Sequence, residues 1–298
     1  MDQGRLVLGT AQLGMKYGIK NRIGKPPLKK SYEIIQTAWN KNIRFFDTAY
    51  SYGESESILG KIFKGLEIAG KVSVISKISG CLNKVNEKEV LKGIDSSLKR
   101  LNLGCLYGLL LHDPGNLDFW DSNASQIMRA IKKNNMAEKV GVSVYSYKDA
   151  MRVLERDDFE IVQIPFNIFD QSYYSKGIFR EAEKRNKTVF IRSIFLQGLL
   201  LMEQEELGED KKNFIKYLQA RDTLCARFDL TKKELAIGYV KKRASGAYII
   251  FGAEEPSQVE ETVQIFEKAD INDEIIKEIE QRLPVSNEDI INPSNWSK

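Results

Sequence analysis

Short runs of apolar, β-branched residues alternate along the chain with longer stretches in which apolar residues recur every three or four positions. The short runs predict eight strands: Arg5–Leu8, Arg44–Thr48, Val72–Lys77, Leu106–Leu111, Val140–Val144, Ile161–Pro165, Thr188–Ile191 and Tyr248–Phe251. Most are continuous rather than alternating, which is typical of parallel strands buried on both faces. The longer stretches have helical spacing and predict intervening helices: Ser31–Asn40, Glu87–Leu101, Phe119–Asn134, Tyr147–Glu155 and Ser172–Arg185.

After the seventh strand, Leu196–Arg243 predicts two helices, and Ser257–Lys268 and Asp273–Arg282 follow the eighth strand. Eight strands separated by helices predict one α/β domain over residues 1–298, a (β/α)8 TIM barrel. A polar tail, from about residue 284 to 298, is expected near its active-site face. The alternative is an open doubly wound sheet, which usually carries a GxGxxG turn after its first strand, and the chain has none there.

Composition narrows the function classes. The net charge of +4 comes from 45 basic and 41 acidic residues that are dispersed along the chain. This balance does not indicate nucleic acid, although it is compatible with small anionic ligands. Three cysteines without a CxxC pair predict a reducing cytoplasm and no structural disulfide. The chain start lacks a signal-peptide pattern, and no apolar stretch approaches the ~20 residues of a membrane span.

The chain has a single histidine, His112, directly after an apolar strand. One imidazole cannot build a two-histidine metal site, so no metal is expected. Three other polar residues lie at or just beyond neighbouring strand ends: Asp47, Tyr52 and Lys77. An ammonium near Tyr52 would favour its phenolate, Asp47 would hold Lys77 in place, and His112 would contact a substrate oxygen.

Each of these residues also has a purely structural interpretation. Tyr52 can be a packed ring, Lys77 a solvated strand end, Asp47 a helix cap, and His112 part of a turn. Their order at the ends of strands two, three and four favours a shared function. A barrel places its chemistry at these carboxyl ends.

The segment from Asp47 to Gly60 reads DTAYSYGESESILG. It resembles the aldo-keto reductase signature D-T-A-x-x-Y-G-x-S-E-x-x-L-G at every fixed position. Other segments similar to that family follow in order: Ser76-Lys77, Leu110-Leu111-His112, Gly141-Val142-Ser143 and Gln163-Ile164-Pro165-Phe166-Asn167. The resemblance implies a barrel, a catalytic tetrad of Asp47, Tyr52, Lys77 and His112, and hydride transfer between a nicotinamide and a carbonyl, with Tyr52 as proton donor.

The same resemblance implies NADP or NAD as cofactor. The implied cofactor contacts are Gly9, Thr10, Asp47, Ser143, Gln163, Arg192, Ser193, Gly252, Glu254, Gln258 and Glu261. Two positions depart from the family pattern: Val144 stands where asparagine is usual, and Arg192-Ser193 stands where a tyrosine commonly stacks on the nicotinamide. The Arg192 guanidinium can lie on a ring or bind a pyrophosphate, or it can be a plain ion-pair partner.

Glu254 and Glu255 follow the eighth strand, where NADPH-dependent members usually carry Lys, Arg or Ser. Two carboxylates would repel a 2′-phosphate and can accept a hydrogen bond from a free ribose hydroxyl, which favours NAD. Alternatively, they are acids that favour the start of a helix.

The chain start and the tail are similar to a bacterial branch associated with surface-polysaccharide sugars. This implies a sugar site lined by Gln12, Tyr17, Trp120 and Trp296, although Trp296 can also be an unordered tail residue. The leading hypothesis is an NAD(P)-dependent oxidoreductase acting on a small polar carbonyl or alcohol. The alternatives are a nicotinamide-binding barrel that acts as a sensor with little turnover, and a phosphate-handling barrel lyase or isomerase.

Overall fold

The structure is a computed structural model that describes residues 2–21, 24–80, 82, 86–120, 124–285 and 287–296. Eight parallel strands within these ranges form a closed barrel in chain order, and the last strand pairs with the first. They are β1 (Leu6–Gly9), β2 (Phe45–Asp47), β3 (Ser73–Ile78), β4 (Leu106–Leu111), β5 (Ala137–Ser143), β6 (Ile161–Pro165), β7 (Thr188–Arg192) and β8 (Tyr248–Gly252). The predicted (β/α)8 barrel is confirmed, and the open sheet is excluded.

Helices connect the strands and pack around them. They are α1 (Ala11–Gly14), α2 (Leu28–Asn40), α3 (Ser55–Gly65), α4 (Glu87–Leu101), α5 (Ser125–Lys133), α6 (Tyr147–Leu154), α7 (Ser172–Ser175), α8 (Ile178–Lys184), α9 (Ile215–Phe228), α10 (Lys232–Arg243), α11 (Pro256–Lys268), α12 (Asp273–Arg282) and α13 (Glu288–Ile291).

Two predicted helices differ from the observed ones. The helix predicted over Phe119–Asn134 begins only at Ser125, because Pro114–Phe119 forms a separate 3-10 helix. The helix predicted over Ser172–Arg185 is divided into α7 and α8 at Gly177, whose φ of +82° is left-handed. A right-handed helix cannot continue through that conformation, which glycine adopts at little steric cost.

The barrel interior is filled by one buried side chain from each of six strands: Val7, Ile75, Leu110, Ile161, Phe190 and Ile250. Four rings close its amino-terminal end, and we call them the aromatic plug: Phe45, Tyr107, Phe190 and Tyr248. Within it, the Phe190 and Tyr248 rings are stacked with centroids 4.7 Å apart. Such layers make the barrel a packed core rather than a pore, so ligands can bind only at its mouth.

The strand register sets the position of the carboxyl-terminal mouth. Gly9 pairs with Asp47 on one side and with Gly252 on the other, so these three strand ends lie side by side. Over the described ranges, no helix is long and apolar enough to cross a membrane. Cys105 and Cys225 are free thiols, and the cytoplasmic location stays a prediction.

Candidate active site

The ends of β2, β3 and β4 bring four predicted catalytic residues together. Lys77 Nζ donates to both carboxylate oxygens of Asp47 at 2.7 Å and to the Thr48 carbonyl at 2.9 Å. The same Nζ lies 5.0 Å from the centroid of the Tyr52 ring. The Tyr52 and His112 rings are edge-to-face with centroids 5.9 Å apart. A phenol, an imidazole and a buried ion pair therefore share one corner of the barrel mouth.

The Lys77–Asp47 pair is almost fully withdrawn from solvent, with the lysine side chain only 1% exposed. Burial lowers the pKa of Lys77, while the charge of Asp47 and its hydrogen bond oppose that effect. Removal of either partner would leave a buried charge without compensation, which is costly. The pair is therefore a fixed element of the site rather than a mobile surface contact.

Tyr52 follows β2 in a tight turn that packs on α1. A Cβ at Gly14 would lie 1.8 Å from the Tyr52 carbonyl oxygen, so only glycine permits this approach. Burial and the charge of Asp47 raise the pKa of Tyr52, and Arg192 opposes the rise. Lys77 was the cation predicted to lower the pKa of Tyr52, but the positive charge that opposes the rise is that of Arg192. The phenol stays protonated at neutral pH, as a proton donor must.

His112 is held on its Nδ1 side by hydroxyl groups. The nitrogen lies 3.2 Å from Ser51 Oγ and 3.4 Å from Ser79 Oγ. Burial, followed by the positive charge of Lys77, lowers the pKa of His112 to about 4. The imidazole is therefore neutral at pH 7. If Nδ1 accepts from a hydroxyl, Nε2 carries the proton and can donate a hydrogen bond to a substrate oxygen.

Much of the sequence signature serves to hold this corner in place. Ser55 Oγ lies 2.8 Å from Thr10 Oγ1 and 2.9 Å from Thr48 Oγ1. The buried carboxylate of Glu56 accepts from Ser76 Oγ at 2.7 Å and forms an ion pair with Arg100. These contacts fix α3 to the ends of β1, β2 and β3, so the signature encodes support as well as chemistry.

An elongated cavity of about 310 Å³ opens beside the tetrad. Its lining includes Asp47 and Tyr52 of the tetrad, and it also includes nine of the other predicted ligand residues: Gly9, Thr10, Gln12, Tyr17, Arg192, Ser193, Gly252, Glu254 and Gln258. The Gln12 amide packs directly against Gly252, where a Cβ would lie 2.0 Å from Gln12 Nε2. Burial and the neighbouring Tyr52 raise the pKa of Tyr17 to about 12.

Ser143 and Gln163 lie beneath this lining. Ser143 Oγ donates to Gln163 Oε1 at 3.1 Å, and Gln163 Nε2 donates to Asp47 Oδ1 at 2.8 Å. Both side chains are buried. The structure thus connects them to the tetrad, but it does not bring them to the cavity surface.

The acidic residues after β8 occupy different environments. Glu254 lines the cavity, and burial raises its pKa; its backbone N–H donates to Gln258 Oε1 at 2.7 Å. Glu255 forms an ion pair with Lys30 at 2.7 Å, and Glu261 forms one with Lys233. Glu261 is not among the lining residues, whereas its partner Lys233 is.

Neither predicted tryptophan lines the cavity. Trp120 is 1% exposed, packs on Phe159 with centroids 4.2 Å apart, and donates to Asp158 Oδ2 at 2.8 Å. Trp296 packs edge-on against Phe214 at 5.5 Å. The prediction that Trp120 lines a sugar site is wrong, because its ring is buried in the core. Trp296 is only partly buried against that core, and its role in a sugar site stays a prediction. The proximity of the whole tail to the active-site face stays a prediction, although Val285 N–H donates to the Phe169 carbonyl.

Sequence reasoning missed several residues at the mouth. Ser51 lies inside the signature at a position that the pattern leaves free, so its contact with His112 carried no signal. Lys20 and Lys233 line the cavity from a loop and from α10, where nothing in the local sequence marks them. In the described part of the chain, no three His, Cys, Asp or Glu side chains are grouped to hold a metal ion.

Comparison with known proteins agrees with this geometry. The model of the "Aldo/keto reductase family" matches residues 5–283. The aldo-keto reductase YhdN of Bacillus subtilis is 24% identical over 290 residues, covering 89% of this chain and 86% of that protein. An NADH-specific methylglyoxal reductase of Escherichia coli is 23% identical, covering 78% of this chain and 81% of its own length.

Among solved structures, the glycerol dehydrogenase AKR11B4 of Gluconobacter oxydans has a TM-score of 0.72 at 21% identity, covering 94% of this chain and 91% of that one. That likeness shows the shared fold. The family match spans nearly the whole barrel, including all four tetrad positions. The chain belongs to the aldo/keto reductase family and is an NAD(P)-dependent oxidoreductase.

Proposed function

We propose that this protein transfers hydride between a nicotinamide cofactor and a small polar carbonyl or alcohol, a sugar or sugar derivative, with Tyr52 exchanging the proton. The observation that carries the proposal is the meeting of Tyr52, His112 and the Lys77–Asp47 pair at one corner of the cavity. Each member comes from the end of β2, β3 or β4, or from the turn that follows it. These groups together suffice to donate a proton to a developing alkoxide.

The tetrad residues have distinct roles in this proposal. Tyr52 gives its proton to the substrate oxygen in reduction and takes it back in oxidation. The buried ion pair between Lys77 and Asp47 fixes the charges beneath the phenol. Neutral His112 donates a hydrogen bond that orients the carbonyl. When bound, the nicotinamide supplies or accepts the hydride.

The lining suits a dinucleotide. Gly9, Thr10 and Gly252 at the ends of β1 and β8 line the cavity, as do Glu254 and Gln258, which follow β8 in the sequence. Gln163 and Ser143 are bonded to each other and to Asp47 and lie outside the cavity lining, so their contact with the nicotinamide amide stays a prediction. Glu254 supports NAD over NADP, and one relative is named as NADH-specific.

Two observations support a polyhydroxylated substrate. The Gln12 amide and the Tyr17 hydroxyl face the cavity beside Tyr52, and such groups bind sugar hydroxyls through hydrogen bonds. Relatives include a glycerol dehydrogenase and a D-threo-aldose 1-dehydrogenase, although each name applies to that protein.

Calorimetric titration with NADH and NADPH, followed by assays on a panel of aldoses and small aldehydes, tests the proposal. We expect saturable binding with a lower Kd for NADH than for NADPH. The Glu254→Gln variant should reduce the difference between these two Kd values. Tyr52→Phe should bind NADH as the wild type does and lose turnover by ~10²–10⁴-fold. Binding without turnover in the wild type would instead favour the sensor function, and no binding of either dinucleotide would defeat both.

A further inference from the structure

We propose that Arg192 binds an oxyanion on the substrate, so that this enzyme acts on acidic carbonyl compounds, carboxylates or phosphate esters, rather than on neutral ones. This inference rests on the proposed function, because it names the substrate class of the same cavity. It also assigns a role to the position that departs from the family pattern.

Arg192 is located at the reacting end of the cavity. It is the last residue of β7 and lines the cavity together with Tyr52 and Tyr17. Its charge lowers the pKa of both of these phenols and of His112. A charge that acts on all three groups lies close to the place where the carbonyl must bind.

The positive charge of Arg192 has no carboxylate partner among the residues that the structure describes. Its side chain contacts neutral groups: the Val144 carbonyl at 3.0 Å, Ser193 Oγ at 3.3 Å and the Tyr145 ring, with Cζ 4.1 Å from the centroid. Burial raises the pKa of Asp170, and the charge of Arg192 is among those that oppose the rise, but the Asp170 carboxylate accepts from Ser172 Oγ and forms no ion pair with Arg192. The cation is therefore held rigidly by dipoles and a ring, without being neutralised.

The other cations of the lining differ in this respect. Lys20 pairs with Glu206 at 3.3 Å, and Lys233 pairs with Glu261. Asp47 is neutralised by Lys77. Among the described lining residues, an uncompensated positive charge beside the tetrad is found at Arg192, and such a charge attracts an anion.

The guanidinium also keeps unused donors. Of five N–H groups, one Nη donates to Val144 and the other to Ser193, while the buried Nε has no acceptor. One N–H group on each Nη thus remains for a ligand. Two neighbouring N–H groups match the paired oxygens of a carboxylate or phosphate.

Matched substrate pairs test this inference: succinic semialdehyde with its methyl ester, and glyceraldehyde 3-phosphate with glyceraldehyde. In the wild type, we expect the KM of the charged member of one pair to be lower than that of its neutral partner. The preference for the charged member is the KM of the neutral substrate divided by the KM of the charged one. Arg192→Met should reduce this ratio by about 10- to 100-fold, the loss expected for a charged hydrogen bond. Arg192→Lys should restore part of it. Arg129→Met, which removes an exposed charge on α5, is the matched control.

Two further measurements separate the possible outcomes. Calorimetric binding of glutarate to the NADH-loaded protein reports on the anion site without turnover, and we expect Arg192→Met to lose it. Turnover with an unchanged charged-to-neutral ratio in Arg192→Met would overturn this inference and leave the reductase proposal standing. Weaker NADH binding with the ratio unchanged would also overturn it, because the anion would then be the cofactor diphosphate. Arg192-dependent glutarate binding without turnover of any carbonyl would support the anion site and defeat the proposed reaction.

Discussion

The same strands carry opposite chemistry at their two ends. β2 begins with Phe45 of the aromatic plug and ends with Asp47 of the tetrad, and β7 passes from Phe190 to Arg192. At the amino end, rings pack with centroids 4.7–6.5 Å apart. At the carboxyl end, buried charges replace them. Within two residues along one strand, the aromatic plug, which stabilises the fold, gives way to buried charges, which do not.

The difference shows how a barrel can tolerate a demanding active site. Burial of aromatic surface at the plug contributes favourable free energy. The Lys77–Asp47 pair contributes little on balance, because desolvation of two charges offsets much of their attraction. Loss of either partner of the ion pair at the mouth should therefore reduce both stability and turnover. Loss of a ring at the plug should reduce stability alone.

The largest expected effect is that of Lys77→Met. It leaves Asp47 charged and buried, which should lower the free energy of unfolding by about 3–5 kcal/mol and abolish most turnover. Urea unfolding and initial rates measure the two effects. The double variant Lys77→Met/Asp47→Asn is the control and should regain stability without regaining activity; a single variant as stable as the wild type would contradict the burial of the pair.

A plug variant should separate stability from chemistry. Phe190→Ala removes a fully buried ring at the plug and should cost about 3–5 kcal/mol of unfolding free energy. Turnover of the folded fraction should change only slightly, because the ring packs on the other rings of the plug, at the opposite end of the barrel from the tetrad. Phe119→Ala, at an exposed ring, provides the comparison. Equal losses of activity for Phe190→Ala and Lys77→Met would abolish the distinction between the two ends.

Protonation of His112 at low pH should destabilise the folded protein. Its pKa is about 4 in the fold and ~6.5 in the unfolded chain, so the unfolded state binds more protons between these values. The free energy of unfolding should fall as pH drops from 6.5 to 4, by up to ~3 kcal/mol. Urea titrations across this window compare the wild type with His112→Gln. Identical slopes for the two proteins would show that His112 is not the titrating group.

The smallest effect belongs to a surface pair outside both ends. Lys30→Ala removes the ion pair with Glu255 at the start of α11. Both side chains are more than a third exposed, so solvent screens the pair and the free energy of unfolding should fall less than in any of the other variants. A thermal scan suffices as the measurement. A drop comparable to that of Phe190→Ala would mean that the N-terminus of α11 is a stabilising site in its own right.

The sequence predicted the barrel well because buried parallel strands leave a simple signal. All eight runs became strands, and the bounds moved by only a few residues. β5 begins at Ala137 rather than Val140, since exposed Glu138 interrupts the apolar run although Ala137 and Lys139 on either side of it pair with β4. Gly177 divided a predicted helix because periodicity does not report a left-handed turn.

The site was less predictable where it depends on distant segments. The tetrad residues follow successive strands, so order alone predicted their meeting. Trp120 was misplaced because a tryptophan carries the same signal in a core as in a sugar site. The role of Arg192 stayed open in the sequence, since its lack of a counter-ion depends on which carboxylates fold near it. The contact between Lys233 and the cavity depends on the path of a long connection after β7.

The pairing of Gly9 with Gly252 has a consequence for biosynthesis. The binding cavity straddles this seam, so one wall comes from β1 and the other from β8. A nascent chain that has not yet released β8 from the ribosome has no complete pocket, and it exposes two strand edges that invite aggregation. A ligand that binds across this seam would therefore stabilise only chains in which β8 has already closed the barrel against β1.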